Sequence, residues 1–127
     1  MIETDAVDTL VLMLEQMVNR PTTIYENNEI PAKKPFLVFE NIPIGKLVVG
    51  LNYQHITRGS IQVTVVTQGG IGPSHAEEIA RRVADCFPVG TIRDGVIIDS
   101  PPEIAKGYND AGLWRLPVKI RWRVLPV

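Results

Sequence analysis

The stretch LWRLPVKIRWRV, residues 113–124, alternates apolar and basic side chains along most of its length. Alternation with a period of two is typical of a β-strand that buries one face and exposes the other. The apolar face holds Trp114, Leu116, Val118, Ile120, Trp122 and Val124. The opposite face holds four cations, which we call the basic stripe: Arg115, Lys119, Arg121 and Arg123. The segment therefore predicts a strand with one core face and one cationic face.

The segment SHAEEIARRVADCF, residues 74–87, has the spacing of an amphipathic helix instead. Ser74 and Glu77 stand three positions apart and predict a capping box at its start. Pro88 ends the helix. One face carries the apolar residues Ala76, Ile79, Ala80, Val83, Ala84 and Phe87.

A second helix is predicted over residues 5–19, which Pro21 terminates. Its apolar positions are Val7, Leu10, Val11, Leu14, Met17 and Val18. Between the helices, strand signals alternate with turn signals. We expect at most a short strand near Ile24 and Tyr25, a strand at 35–40 broken by Pro43 and Gly45, and two strands, 47–57 and 60–68, joined as a hairpin at Arg58 and Gly59. Beyond the second helix, we expect a short strand at 96–99 and a loop at 100–112.

This order of elements predicts an α+β fold in a single domain, residues 1–127. The expected architecture is a mostly antiparallel twisted sheet of four to five strands with two helices packed on one face.

Composition excludes several classes of protein. The 13 basic and 14 acidic side chains give a net charge of −1, unlike a protein that coats nucleic acid. The single cysteine, Cys86, cannot form an intramolecular disulfide, and the acidic start of the chain does not resemble a secretory signal. No apolar run approaches the ~20 residues of a membrane-spanning helix. We therefore expect a protein of the reducing cytoplasm without a membrane partner.

Candidate groups for chemistry are few and scattered. His55, His75 and Cys86 lie on different predicted elements, without metal-ligand spacing, so we expect no catalytic residues, no metal and no enzymatic activity. Gly69, Gly70 and Gly72 precede a helix, where backbone amides can hold phosphate, but the Lys-Ser/Thr of a phosphate-binding loop is missing. We expect no cofactor.

The basic stripe has three interpretations. It forms a solvated outer face, a subunit interface with an acidic partner surface, or a surface for nucleic acid phosphates. Both tryptophans of the strand point to the core side, so specific nucleic-acid recognition is not expected.

The distribution of charge along the chain is also uneven. Residues 1–40 carry seven acids and three bases, whereas the charged residues of 111–127 are all bases. The apolar stretch IPIGKLVVGL, residues 42–51, is either an exposed hairpin that orders against a neighbour or an ordinary half-buried strand.

Several segments, in their order along the chain, resemble the small minor tail proteins of tailed bacteriophages, and within them the tail terminators of the lambda type. They are PAKKPFLVFE (31–40), RGSIQVTVV (58–66), the glycine-rich loop, SHAEEIARRVADCF (74–87) and GLWRLPVKIRWRV (112–124). The resemblance covers nearly the whole chain in order of elements, without a catalytic motif. It implies an α/β sandwich of a twisted sheet and helices.

The resemblance also implies a structural role in the virion. Tail terminators form a six-membered ring on the head-proximal end of the tail tube, stop its polymerisation and present a surface for head joining. The implied partners are other copies of this chain, the tail tube protein and the head-side connector or stopper protein, with the tape-measure protein as a further candidate. The implied location is the neck region of the virion tail, after assembly in the host cytoplasm.

Two different complementary faces are needed for the head-to-tail contacts that close a ring. We expect these contacts at the basic stripe, at the hairpin residues Tyr53, His55 and Arg58, and in the loop 41–51, which contains Lys46. Two alternatives stay open. One is a head-completion or neck adaptor protein, and the other is a small nucleotide- or ligand-binding α+β domain that uses the loop from Gly69 to Gly72.

Overall fold

The computed structural model describes residues 3–17, 20–25, 34–49, 54–70 and 72–124, with side chains described throughout these ranges except at 3–5, 43–49 and 54–57. Two helices and eight strands occur within them. In chain order they are α1 (Glu3–Glu15), β1 (Thr22–Tyr25), β2 (Phe36–Val49), β3 (Gln54–Gln68), α2 (Ser74–Asp85), β4 (Ile92–Arg93), β5 (Val96–Ile98), β6 (Glu103–Ile104), β7 (Tyr108–Asp110) and β8 (Leu113–Val124).

The strands form one sheet in the order β1-β2-β3-β8-β5-β4, and β6 and β7 also pair with β8. All pairs are antiparallel except β1 with β2, which is parallel. The α+β prediction is confirmed, but the expected four to five strands are wrong, since the sheet is mixed and has eight. The additional strands β4, β6 and β7 have two or three residues each, too few to show a periodic pattern in the sequence.

The long hairpin of β2 and β3 differs most from the prediction. β2 continues through Pro43 and Gly45, where the pairing register shifts as in a β-bulge, so these residues bend the strand instead of ending it. β3 runs straight through Arg58 and Gly59, so the predicted turn there is wrong. Gly59 pairs with Trp122, and a Cβ on Gly59 would lie 2.7 Å from Trp122 Cζ2. The glycine therefore makes room for a buried indole and does not form a turn.

The helix α2 confirms the predicted apolar face, because Ala76, Ile79, Ala80, Val83 and Phe87 are all buried. Its start differs from the prediction. Pro73 is the N-cap, its carbonyl accepts the Glu77 N–H at 2.9 Å, and no side chain caps the helix. Ser74 lies inside the first turn, so the predicted capping box is wrong.

One core joins both helices to the same face of the sheet. Every predicted apolar position of β8 contributes to it, with Trp114 partly buried and the others buried. The helix α1 buries Leu10 and Leu14 as predicted, and Met17 is buried just beyond its end, whereas Val7 and Val11 are only partly buried at its margin. Val18 lies outside the described residues. The predicted placement of two helices on one sheet face is thus confirmed. We call the opposite face of the sheet the outer face.

Candidate interaction surface

The basic stripe lies on the outer face, because Arg115, Lys119, Arg121 and Arg123 alternate with the buried positions of β8. The pairing register places partners from β3 and β2 beside each cation. These cross-strand rows are Arg115–Val66–Phe36, Pro117–Thr64–Val38, Lys119–Gln62–Glu40, Arg121–Ser60–Ile42 and Arg123–Arg58. Directly opposed residues share a face, so each row lies on the outer face of the sheet.

The outer face changes character along the strands. At one end Phe36 and Val66 are fully buried and the Arg115 side chain is 19% exposed. At the other end Arg58, Arg121 and Ile42 are exposed, with 37% of Ile42 accessible. Only this second end of the stripe presents its charges to a partner.

Two of the four cations form an ion pair with an acidic side chain, whereas Lys119 lies opposite Glu103 of β6 without forming one. Arg115 Nε lies 3.2 Å from Asp110 Oδ2, within ion-pair distance but not aligned for a hydrogen bond. An Arg121 nitrogen lies 3.9 Å from Glu103 Oε1, and both side chains are at least half exposed. A pair of that kind contributes at most about 1 kcal/mol to stability. Half of the basic stripe is thus paired by acids from β6 and β7.

The remaining cations lack such partners. Among the side chains that the structure describes, no ion pair involves Lys119, Arg123 or Arg58. Arg58 lies directly opposite Arg123, an arrangement of like charges that destabilises a sheet. Asp99 and Ser100 line the adjoining depression with Ile42, Ser60 and Lys119, and Asp99 forms no ion pair within the described residues. Among the described residues, this end of the outer face therefore carries cations without ion pairs beside the carboxylate of Asp99.

The other predicted contact residues belong to the β2–β3 hairpin. Lys46 pairs with Thr57, and His55 pairs with Val48. Tyr53 lies outside the described residues. Lys46 and His55 thus lie farther along the same two strands that carry Ile42 and Arg58.

The groups considered for chemistry stay apart. His75 is exposed in the first turn of α2, while Cys86 is half-buried just after its end, with Sγ donating to the Arg82 carbonyl at 3.4 Å. Burial raises the pKa of the Cys86 thiol, and the neighbouring Asp85 carboxylate raises this pKa further. A raised pKa makes the thiol less nucleophilic at neutral pH. In the described part of the chain, no three His, Cys, Asp or Glu side chains are grouped closely enough to hold a metal ion.

The glycine-rich loop is explained by backbone geometry. Gly70 and Gly72 have φ values of +83° and +86°, and Gly69 donates its N–H to the Gly112 carbonyl at 3.0 Å. The depression beside it, about 230 Å³, is lined by Gly70, Gly72, Pro73, Asn109 and Trp114. This lining carries no cation that could hold a phosphate. The geometry gives no support to the nucleotide-binding alternative.

Sequence reasoning missed several exposed apolar side chains, among them Leu12 and Ile92. Leu12 on α1 is 48% accessible, and Ile92 on β4 is 59% accessible. The available signal for Leu12 was its position outside the predicted apolar face of the helix. Ile92 gave no such signal, because the two-residue strand β4 was not predicted.

Comparisons with known proteins decide the family. A model of the phage tail terminator protein family matches residues 9–122. The chain belongs to the phage tail terminator family. Membership indicates a structural role in the phage tail, as the resemblance in the sequence implied.

The same fold occurs in solved structures. Twenty-one chains of known structure match. One of them superimposes with a TM-score of 0.69 at 20% identity, covering 98% of this chain and 96% of its own. At that identity the likeness concerns the fold alone. Among curated proteins, none matches this terminator sequence. Within the described residues, the helices are too short or too polar to cross a bilayer.

Proposed function

We propose that this protein forms a six-membered ring that caps the head-proximal end of the phage tail tube. The ring stops further polymerisation of the tube and provides the surface to which the head joins. The observation that carries the proposal is the family match over residues 9–122. The exposed end of the basic stripe supports an assembly role, since Lys119 and Arg123 form no ion pair with any side chain that the structure describes.

A ring of identical subunits requires two different faces on each copy, which meet head to tail. The outer face supplies one of them at Arg58, Arg121 and Arg123. Lys46 of β2, His55 of β3 and Tyr53 between them in the sequence are further candidate contacts. Interfaces of this kind use opposite charges to orient the partners and to exclude wrong pairings. The partners of the assembled ring are the tail tube protein on one side and the head-side connector or stopper protein on the other. The tape-measure protein, whose length sets the end point of the tube, is a further partner.

The role predicts a location and an assembly route. The subunits are made in the host cytoplasm and end in the neck of the virion, between head and tail. Recognition there is between proteins, so no specific nucleic-acid sequence and no membrane takes part.

The proposal is tested by removing the protein from a growing phage. A stop codon early in the gene should yield tail tubes that exceed the normal length and do not join heads, as seen by electron microscopy of infected lysates. Wild-type protein supplied from a plasmid should restore the normal length and the joined particles. Joined virions with tails of normal length in the absence of the protein would rule out a terminator function.

A further inference from the structure

A shallow groove runs along one margin of α1, where the helix meets β1 and β2. Its volume is about 280 Å³, enough for an aliphatic side chain, and we call it the α1 groove. The rings of Tyr25 and Phe39 contact each other there, with centroids 5.6 Å apart. The residues that line the groove are Val7, Asp8, Val11, Tyr25, Phe39 and Asn41.

The α1 groove carries one carboxylate and no cation. Asp8 is exposed and forms no ion pair with any described side chain. Val7, Val11 and the two aromatic rings make the rest of the lining mainly apolar. A partner that fits this groove therefore needs an apolar side chain with a positive charge close to it.

Such a combination occurs at the opposite edge of the sheet. Ile104 of β6 is 42% accessible, and Lys106, two positions later, is exposed. Between them the Ala105 N–H donates to the Pro117 carbonyl at 2.9 Å, so the chain stays bonded to β8. We call residues 104–106 the β6 edge. Within the described residues, β6 pairs with β8 alone, so no strand covers its other side.

The charge of Lys106 is not used within the chain that the structure describes. Glu77 lines the same depression as Lys106, but its ion pair is with Arg81, at 3.9 Å. Glu103, which precedes the β6 edge, pairs with Arg121. Among the described side chains, no ion pair involves Lys106. Its ammonium group is therefore available to a carboxylate of a partner.

Both surfaces lie on the helix side of the sheet, but far apart. Ile104 pairs with Val118, which is buried in the core, so Ile104 also faces the helix side. In the sheet, β6 is four strand spacings from β1, or about 19 Å. The helix α2 packs on β3, β8 and β6 between them. The β6 edge and the α1 groove therefore cannot meet within one chain.

The spacing of the groups on the two surfaces agrees. Ile104 and Lys106 point to the same side of an extended chain, about 6.6 Å apart. Val11 and Asp8 are three positions apart on α1, with about 5–6 Å between their Cβ atoms. We propose that the β6 edge of one copy docks in the α1 groove of the next. Ile104 packs there against Val11 and Tyr25, and the Lys106 ammonium group pairs with the Asp8 carboxylate.

This inference rests on the proposed ring and names the second of its two faces. Contacts between different surfaces at opposite edges of a subunit are head to tail, as ring closure requires. The ion pair of Glu103 with Arg121 places the β6 edge beside the exposed end of the outer face. The β6 edge and the outer face thus form one side of the contact, and the α1 groove forms the other.

Cross-linking tests the geometry. In a Cys86→Ala background, Asp8→Cys and Lys106→Cys on one chain should give a ladder of covalent oligomers with a short bis-maleimide. Either cysteine alone should leave monomers, because a head-to-tail contact does not place like residues together. The matched control joins Asp8→Cys with Ile92→Cys. Ile92 is also exposed, but the register places it on the outer face, so this control should not form a ladder.

Charge exchange tests the recognition. Asp8→Lys and Lys106→Glu should each raise the concentration needed for assembly by about tenfold or more, measured by light scattering, because each places like charges together. The variant with both changes should regain assembly. The control is Glu78→Lys, an exposed residue of α2, which should not restore assembly to Lys106→Glu.

A third variant tests the apolar part of the contact. Ile104→Asp should prevent assembly at concentrations where the wild type is oligomeric, because a carboxylate would enter an apolar groove beside Asp8. Val89→Asp changes a side chain that is 54% accessible elsewhere and should assemble normally. Circular dichroism should show that both variants fold.

The outcomes separate this contact from the proposed function. A double-cysteine variant without a ladder, or a charge exchange without rescue, would overturn the docking of the β6 edge in the α1 groove, even if overlong tails support the terminator role. A wild-type chain that stays monomeric and cannot be cross-linked would overturn it as well. Conversely, tails of normal length without the protein would refute the terminator role, while the ladder and the rescue would still support the contact.

Discussion

A glycine is required at position 59 because of a residue far away in the sequence, Trp122. Gly59 lies inside β3, opposite the fully buried Trp122, and a Cβ would come within 2.7 Å of the indole ring. Gly59→Ala should therefore lower the free energy of unfolding by about 1–3 kcal/mol, the usual cost of overpacking a core. Chemical denaturation followed by tryptophan fluorescence measures it. Gln62→Ala, on the outer face of the same strand, should change stability by less than about 0.5 kcal/mol. An unchanged Gly59→Ala protein would show that Trp122 can move aside.

Cys86 is expected to make stability depend on alkaline pH. Its pKa is raised in the folded chain, mainly by burial and further by Asp85, although Arg82 acts in the opposite direction. The unfolded state therefore loses the thiol proton first, and the stability that the neutral thiol contributes declines as the pH rises through the alkaline range. Denaturation of the wild type and of Cys86→Ala, compared between neutral and alkaline pH, should show a difference that shrinks as pH rises. A constant difference would contradict the raised pKa.

The structure at the start of α2 predicts how much Ser74 contributes to the stability of the helix. Ser74 lies within the first turn, the Pro73 carbonyl accepts the Glu77 N–H, and no side chain caps the helix. Ser74→Ala should thus cost less than about 0.5 kcal/mol, whereas loss of a serine N-cap typically costs about 1 kcal/mol. Urea denaturation distinguishes the two values. A loss near the larger value would indicate that Ser74 caps the helix in solution.

For the whole molecule, a closed ring has a defined mass. Six subunits of 14.1 kDa give about 85 kDa, which light scattering over a range of concentrations should reveal. The proposed ring uses charged faces, so added salt should lower the oligomeric fraction. Arg121→Glu/Arg123→Glu should weaken assembly while the circular dichroism of the subunit stays unchanged. Rings that form normally with both reversals would remove this part of the basic stripe from the interface.

The elements with strong local periodicity were predictable from the amino-acid order. The alternation in residues 113–124 predicted β8 together with the side that it buries, and the helical spacing predicted the apolar face of α2. The cationic face of β8 was also predicted, because a strand that buries one set of positions necessarily turns the other set outward. These patterns depend on the residue itself and its near neighbours.

Other features depended on contacts between residues far apart in the chain. From the sequence alone Gly59 predicts a turn, and only its pairing with Trp122 shows that it lies inside a strand. The short strands β4, β6 and β7 form because β4 pairs with β5, and β6 and β7 pair with β8. The pairing of Arg115 and Arg121 with acids, and the unpaired state of Arg123 beside Arg58, follow from the register of the sheet. Local periodicity fixes which side of an element is buried, but strand order and register arise from long-range packing, so the candidate contact surfaces appeared only once the chain was folded.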